Sequence, residues 1–340
     1  MRLPVLLLTV WLAHEEAPAQ GSGAVPADAG DGAPRVVLRF AGDCLLAAHY
    51  ERAAGESLGF AFEGFDLFRT DDVTVVNFEG PVTPGGTPVR KKFTFRMPAG
   101  APAVLRAAGV DVVTIANNHI HDYGPGGILS TLGALDAAGL ARTGAGSDRK
   151  EAHTPAVLER AGRRFAFLGY YGGGEAPTAG DHSPGVARRD LARMREDIGA
   201  ILEQDSSVFV TVLLHWGNEK AEHPEPWQMD LARRIIEAGA RAVVGHHPHV
   251  LQGIERYRGG IIAYSLGNFL FGGNSRSSYD TAVLELALGG GGPAARLIPV
   301  RISNWRASVL EGPDALSVLR HVAGLSRGFE ASIFTDEEQR

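Results

Sequence analysis

Five short apolar runs in this chain end alike, in carboxylate, amide or imidazole side chains. Residues 36–40 run into Ala41-Gly42-Asp43, 73–76 into Asn77-Phe78-Glu79-Gly80, and 110–116 into Asn117-Asn118-His119-Ile120-His121-Asp122. Residues 208–214 run into His215-Trp216-Gly217-Asn218-Glu219, and 240–244 into Gly245-His246-His247-Pro248-His249. Apolar runs of this length read as strands. Packing alone gives such strands no reason to end in polar groups that are costly to bury. Between them lie helix-forming stretches at 101–108, 127–138, 191–204 and 227–238, and Gly109, Gly139 and Gly239 close three of these. Residues 282–288 and 295–302 form a predicted hairpin, and 315–323 a closing helix. Strands alternating with helices predict an α/β layered domain whose ligands bind outside the carboxyl ends of the strands.

The chemistry at those ends is of one kind. Carboxylate, amide oxygen and imidazole suit borderline ions such as Zn, Mn or Fe, and thiolate is nearly absent, Cys44 being the single cysteine. His247 and His249, two apart on a loop stiffened by Pro248, face one centre and serve one ion or two neighbouring ions, while His246 points elsewhere. Taken alone they read equally well as surface-loop histidines. Recurrence at five strand ends favours a shared site.

The formal net charge of −6 over 340 residues gives no global attraction to nucleic acid, and no nucleic-acid partner is expected. Residues 1–19 have the layout of a secretory signal peptide with cleavage after Ala19, and their apolar run is too short to span a bilayer. The expected location is therefore secreted, periplasmic or cell-envelope, with no transmembrane helix in the mature chain. Residues 20–34 are a flexible Gly, Ala, Asp and Pro linker, 35–330 the folded domain, and 331–340 an acidic tail expected to fray beyond Thr335. The basic-aromatic run from Arg90 to Arg96 reads as a loop or edge strand: either a solvated face or, through Lys91, Lys92 and Arg96, a docking surface for an anionic substrate.

In order, Gly42-Asp43, Asn77-Phe78-Glu79, Ala116-Asn117-Asn118-His119 with Asp122 and Gly124, His215-Trp216-Gly217 with Glu219, Gly245-His246-His247-Pro248-His249 and Tyr264-Ser265-Leu266-Gly267-Asn268-Phe269 form a specific combination. In it the chain resembles the CapA-like proteins associated with poly-γ-glutamate capsule synthesis, a branch of the calcineurin-like metallophosphoesterase superfamily. The resemblance spans roughly residues 36–288 and implies a four-layer αββα sandwich with a metal site where the two sheets' strand ends converge. It further implies that Asp43 and His249 hold one divalent ion and that Asn118, His215 and His247 hold another. Glu79 takes the bridging position, His119 protonates a leaving oxygen, and Asp122 orients His119.

This sequence departs from the superfamily pattern twice. It reads Asp43-Cys44-Leu45 where Asp-x-His is usual, and its bridging carboxylate is a glutamate. The first ion position thus has fewer ligands, and single-metal occupancy stays open. Cys44 or His49 is a possible substitute, although a core cysteine is the more ordinary role. Two ions about 3.5 to 4 Å apart lower the pKa of a shared water and clamp phosphoryl oxygens. The expected chemistry is metal-activated water acting on a phosphoester or amide, with His119 as acid. Among the other residues, Trp216 reads as packing before substrate platform, Glu219 as a partner of a ligand histidine or an exposed carboxylate, and Asn268 as a substrate contact or a turn cap. The leading expectation is a hydrolase-fold protein of capsule polymer synthesis acting on an anionic polymer or phosphoester, in contact with capsule-synthesis machinery. The alternatives are a noncatalytic polymer-binding scaffold with a structural metal and a general phosphodiesterase.

Overall fold

The structure, a computed structural model, describes residues 35–289 and 292–339; the expected signal peptide and linker lie outside the described residues. Valine-rich segments Val36–Leu45 (β1), Val73–Phe78 (β2), Val112–Thr114 (β3) and Ala141–Thr143 (β4) lie side by side and parallel. On the other side of β1 the sheet turns antiparallel through Tyr279–Gly289 (β14), Gly292–Ser303 (β15) and Arg306–Val309 (β16). The β14 pairing ends at Phe40, and Asn268–Phe271 (β13) then joins the far half of β1 in parallel.

The second sheet runs Ile254–Tyr257 (β11), Gly260–Ala263 (β12), Ala242–His246 (β10), Phe209–His215 (β9), Arg163–Tyr171 (β7) and Ala156–Arg160 (β6), with its four central strands parallel. A short ribbon pairs Ala145–Gly146 (β5) with Gly185–Val186 (β8).

The two-residue period of each strand sorts its side chains between layers. Val36, Leu38, Phe40, Val73 and Val75 meet Phe165, Phe167, Leu213, Ala242 and Val244 of the second sheet in a shared core. The alternate residues Val76, Phe78, Val113 and Ile115 pack outward with Tyr50 of His49–Ala54 (α1), Leu105 of Ala101–Ala108 (α2) and Ile128 of Gly124–Ala137 (α3). On the far face, Ala166, Leu168, Val210, Val212 and Val243 pack with Met194 and Ile198 of Leu191–Gln204 (α5) and with Ala232 and Ile235 of Pro226–Glu237 (α6). The order helix, sheet, sheet, helix is the four-layer αββα sandwich that the resemblance implies. Gly312–Leu325 (α7) joins the shared core through Val318 and Val322, and Arg149–Ala152 (α4) is capped by Asp148.

Two expectations need correction. The tail past Thr335 does not fray from there, because Asp336–Gln339 (α8) is a helical turn. Thr335 N donates to Glu338 Oε2 at 2.7 Å while Glu338 N faces Thr335 Oγ1 at 3.4 Å, a reciprocal cap hidden in the tail's acidity. Of the two alternatives for residues 90–96 the loop is the one observed, next to an isolated bridge between Val82 and Met97. Finally, β1 continues five residues past the expected Phe40 end, to Leu45, so Asp43 lies inside a strand.

That extension aims Asp43. Phe40 pairs with Val75 and Asp43 with Asn77, so β1 carries one residue more than β2 across the step, a bulge that re-aims the side chains after it. Gly42 permits it: a Cβ there would stand 2.0 Å from Gly267 O, and Asp43 N donates to that same oxygen at 2.9 Å.

Candidate metal centre

The strand register assembles the site. Asp43 lies opposite Asn77 on β2 and Asn268 on β13, while His215 on β9 pairs with His246 on β10. Beyond His246 the chain leaves the second sheet and returns toward the first. His247 and His249 do so with φ of 97° and 58°, in a region that residues with a side chain occupy at a cost of roughly 1–3 kcal/mol each.

All six expected ligands meet in one network. His249 Nδ1 lies 3.2 Å from Asp43 Oδ2, and its Nε2 lies 3.6 Å from Glu79 Oε1. His247 N donates to Asp43 Oδ2 at 3.3 Å, and the His247 ring is centred 4.7 Å from that of His215. His215 Nε2 is 2.9 Å from Asn118 Oδ1. The expected acid pair is also in contact, with His119 Nδ1 2.8 Å from Asp122 Oδ2.

Two amides tie these groups together. Asn77 Nδ2 donates to Asp43 Oδ1 at 2.8 Å and to Glu79 Oε2 at 2.9 Å, clamping two buried carboxylates. Asn117 Nδ2 donates in turn to Asn77 Oδ1 at 3.1 Å and Phe78 O at 2.8 Å, and Asn117 Oδ1 accepts from His119 N. The sequence puts Asn77 among the polar strand ends and Asn117 in the motif that carries the resemblance, but it gives neither amide this tying role; the doubled amide Asn117-Asn118 is the signal it offers.

These residues fit a divalent ion. One donor atom each from Asp43, Glu79 and His249 lies within 4.8 Å of the others. Glu79 Oε1 and His247 Nδ1 are buried with no hydrogen-bond partner, a state that folded proteins avoid unless something else satisfies the atom. Burial favours the neutral form of both acids. For Asp43 the His249 hydrogen bond and nearby histidines outweigh it and hold the carboxyl well below its usual range. For Glu79, burial and the Asp43 charge both push the carboxyl up. Two enclosed acids in this relation ionise together most readily around a cation. Burial also pushes His215 well down, with the charge of His247 adding to the effect, and it lowers His247 and His246, which keeps the imidazoles in their ligating form.

Neither proposed substitute for the missing first-motif histidine reaches the site. Cys44 packs in the outer apolar core, where burial pushes its thiol up to about 12, and His49 is exposed at the start of α1. Leu45, where the histidine would be, is fully buried in that core.

The remaining candidates divide by geometry. Lys91 turns inward: its Nζ is 2.6 Å from Asp122 Oδ1 and donates to Asn118 O at 2.8 Å. Lys92 and Arg96 stay exposed, against the rings of Phe93 and Tyr123. Asn268 Oδ1 is 2.8 Å from His249 Nδ1, so it orients a ligand candidate. Trp216 is a packing residue, its Nε1 donating to Tyr264 O at 3.0 Å, and Glu219 is exposed. Phe95 and Phe271 wall the site, with ring centroids 4.6 Å from His119 and 4.5 Å from His249. Burial lowers the His119 imidazole, and the Asp122 contact opposes it.

The family described as bacterial capsule synthesis protein PGA_cap matches residues 37–273. Capsule biosynthesis protein CapA of Bacillus anthracis is 29% identical over 283 residues, covering 79% of this chain and 68% of that one. PGA biosynthesis protein CapA of Bacillus subtilis (strain 168) is 32% identical over 255 residues, covering 73% and 67%. Among solved structures, the NAD nucleotidase of Haemophilus influenzae is similar at a TM-score of 0.49 and 12% identity, over 90% of this chain and 58% of that one.

Proposed function

This chain belongs to the bacterial capsule synthesis protein PGA_cap family, and we propose that it serves capsule polymer production as a metal-dependent hydrolase acting on an anionic polymer of the poly-γ-glutamate kind. The observation that carries the reading is the convergence of Asp43, Glu79, Asn118, His215, His247 and His249 beside the His119–Asp122 pair. In this reading Asp43, Glu79 and His249 hold one divalent ion, and Asn118, His215 and His247 take a second when one is bound. Such an ion supplies Lewis-acid polarisation of an ester or amide and lowers the pKa of water.

The chain's own residues do the rest. Asp122 accepts from His119 Nδ1, which leaves Nε2 as the proton-exchanging atom, and its charge stabilises the imidazolium that serves as acid toward a leaving group. Lys91 and Phe95 N hold Asp122 in turn. Phe95 and Phe271 exclude water from one side of the centre, which strengthens the electrostatic interactions within it. Export through residues 1–19 places the protein at the cell envelope in this reading. No helix among the described residues is long and apolar enough to cross a membrane.

A noncatalytic polymer-binding role is favoured by one observation, the core leucine at position 45 that leaves the first ion position short of a ligand. A screen of Mn- and Zn-loaded protein against a generic phosphodiester and against poly-γ-glutamate separates the two. Turnover that disappears in His119→Ala with metal retained supports the enzyme. Polymer binding without turnover under every metal supports the scaffold and rejects hydrolysis.

A further inference from the structure

Arg189 is half-buried and, among the described residues, has no carboxylate within ion-pair distance. Its Cζ sits 4.4 Å from the centroid of the Trp227 ring. The guanidinium also lies close to the backbone of Gly172, where a Cβ would fall 2.7 Å from Cζ and 2.8 Å from Nε. The group thus lies against an indole and beside a glycine, and among the described residues its planar fork of N–H donors has no hydrogen-bond acceptor.

A fold seldom leaves a partly desolvated charge unpaired, because the burial cost is then uncompensated. Trp227 offsets some of it through its ring face. The neighbouring Arg188 is of the same sign, exposed and, among the described residues, likewise without an acidic partner.

Position relates this fork to the centre by two routes. Arg189 N donates to Tyr171 O at 3.0 Å, Tyr171 pairs in register with His215, and their ring centroids are 5.8 Å apart. On the other side, Trp227 meets Trp216, the residue after His215, at 5.9 Å between centroids. We propose that Arg189, laid against Trp227, is an anion subsite that recognises a substrate carboxylate beside the metal centre and thereby selects polymers carrying one acid group per repeat. The choice of a carboxylate rests on the polymer reading above. The subsite itself rests on the unpaired, stacked guanidinium.

The test is isothermal titration of the metal-loaded full chain with a γ-linked glutamate oligomer and, separately, with inorganic phosphate. Wild type is compared with Arg189→Gln and with Arg189→Lys, which keeps the charge but not the planar fork, and metal content is measured in each. The expected result is oligomer binding weakened about tenfold or more in Arg189→Gln, and partly recovered in Arg189→Lys, at unchanged metal content. Should Arg189→Gln fail to fold, Arg189→Lys decides: affinity within twofold of wild type overturns the subsite. The same result for a folded Arg189→Gln overturns the subsite and leaves the polymer reading standing. If wild type ignores the oligomer yet binds phosphate in an Arg189-dependent way, the subsite stands and the polymer reading fails. Absence of Arg189-dependent binding for both anions overturns the subsite.

Discussion

Asp122 stands between His119 and Lys91: its Oδ2 is 2.8 Å from His119 Nδ1, and its Oδ1 is 2.6 Å from Lys91 Nζ. One enclosed carboxylate therefore aims the imidazole and neutralises the lysine. Asp122→Asn keeps the size but loses the charge, so the account predicts a fall in kcat of about 10²-fold or more with metal content unchanged, in line with the weight of general acid catalysis. Steady-state kinetics with metal analysis on the same sample checks it, and a change confined to KM would contradict the assignment.

Away from the site, Glu285 joins Arg39 and Arg296, at 2.8 Å from Arg39 Nη2 and 2.6 Å from Arg296 Nε. Arg39 and Glu285 are both buried, so Glu285→Gln leaves a charge uncompensated in the core and should cost about 3–5 kcal/mol in urea unfolding. Burial alone would raise the Glu285 carboxyl, but the two arginines hold it below its usual range. Its contribution is present above the unfolded carboxylate pKa of about 4.3 and is lost as pH falls through the lower folded value. Acid unfolding of the variant should accordingly be shallower than that of wild type.

Asp71 has the opposite sign. Burial pushes its carboxyl up to about 7, partly offset by the hydrogen bond from Thr74 Oγ1 and by Arg39. From an unfolded value of about 3.9 up to about 7 the folded state holds more protons than the unfolded one, so stability falls as pH rises across that window. Asp71→Asn keeps an acceptor for Thr74 and should flatten this part of the curve. Melting temperatures from pH 4.5 to 8 would show the wild-type decline and its absence in the variant.

Gly245 lets β10 pass under Tyr264. A Cβ there would lie 1.9 Å from Tyr264 O and 2.4 Å from Trp216 Nε1, two atoms already hydrogen-bonded to each other. Gly245→Ala should lose about 1–3 kcal/mol or more, read as a lower denaturant midpoint, and should weaken metal retention by displacing His246 and His247.

What could be read from the letters follows from where the chemistry sits. Each expected ligand ends or follows an apolar strand, so a two-residue period and a metal-like residue set point to those strand ends, and the resemblance to the CapA-like proteins singles out Asp43, Glu79, Asn118, His215, His247 and His249 among them. The helices over 101–108 and 191–204 coincide with the observed ones because Gly109 stops one and Asp190 caps the other. Features that depend on distant partners were hidden. The length of β1 depends on β13, some 225 residues later, and the Gly42–Gly267 contact has no local signature. Lys91 lies in a run that looks solvent-facing, yet its partner is 31 residues away. The edge strands β6 and β11 are short and mixed in polarity, which leaves no period to detect.

The most direct test is elemental analysis of purified full-length protein after loading with Mn or Zn and removal of free ion. The account predicts at least one tightly held divalent ion per chain, lost in His249→Ala and in Asp43→Asn while the fold persists by circular dichroism. A folded wild-type chain that retains no divalent ion, or a His249→Ala, Asp43→Asn double variant that retains it in full, would contradict the claim that these strand ends form a metal centre.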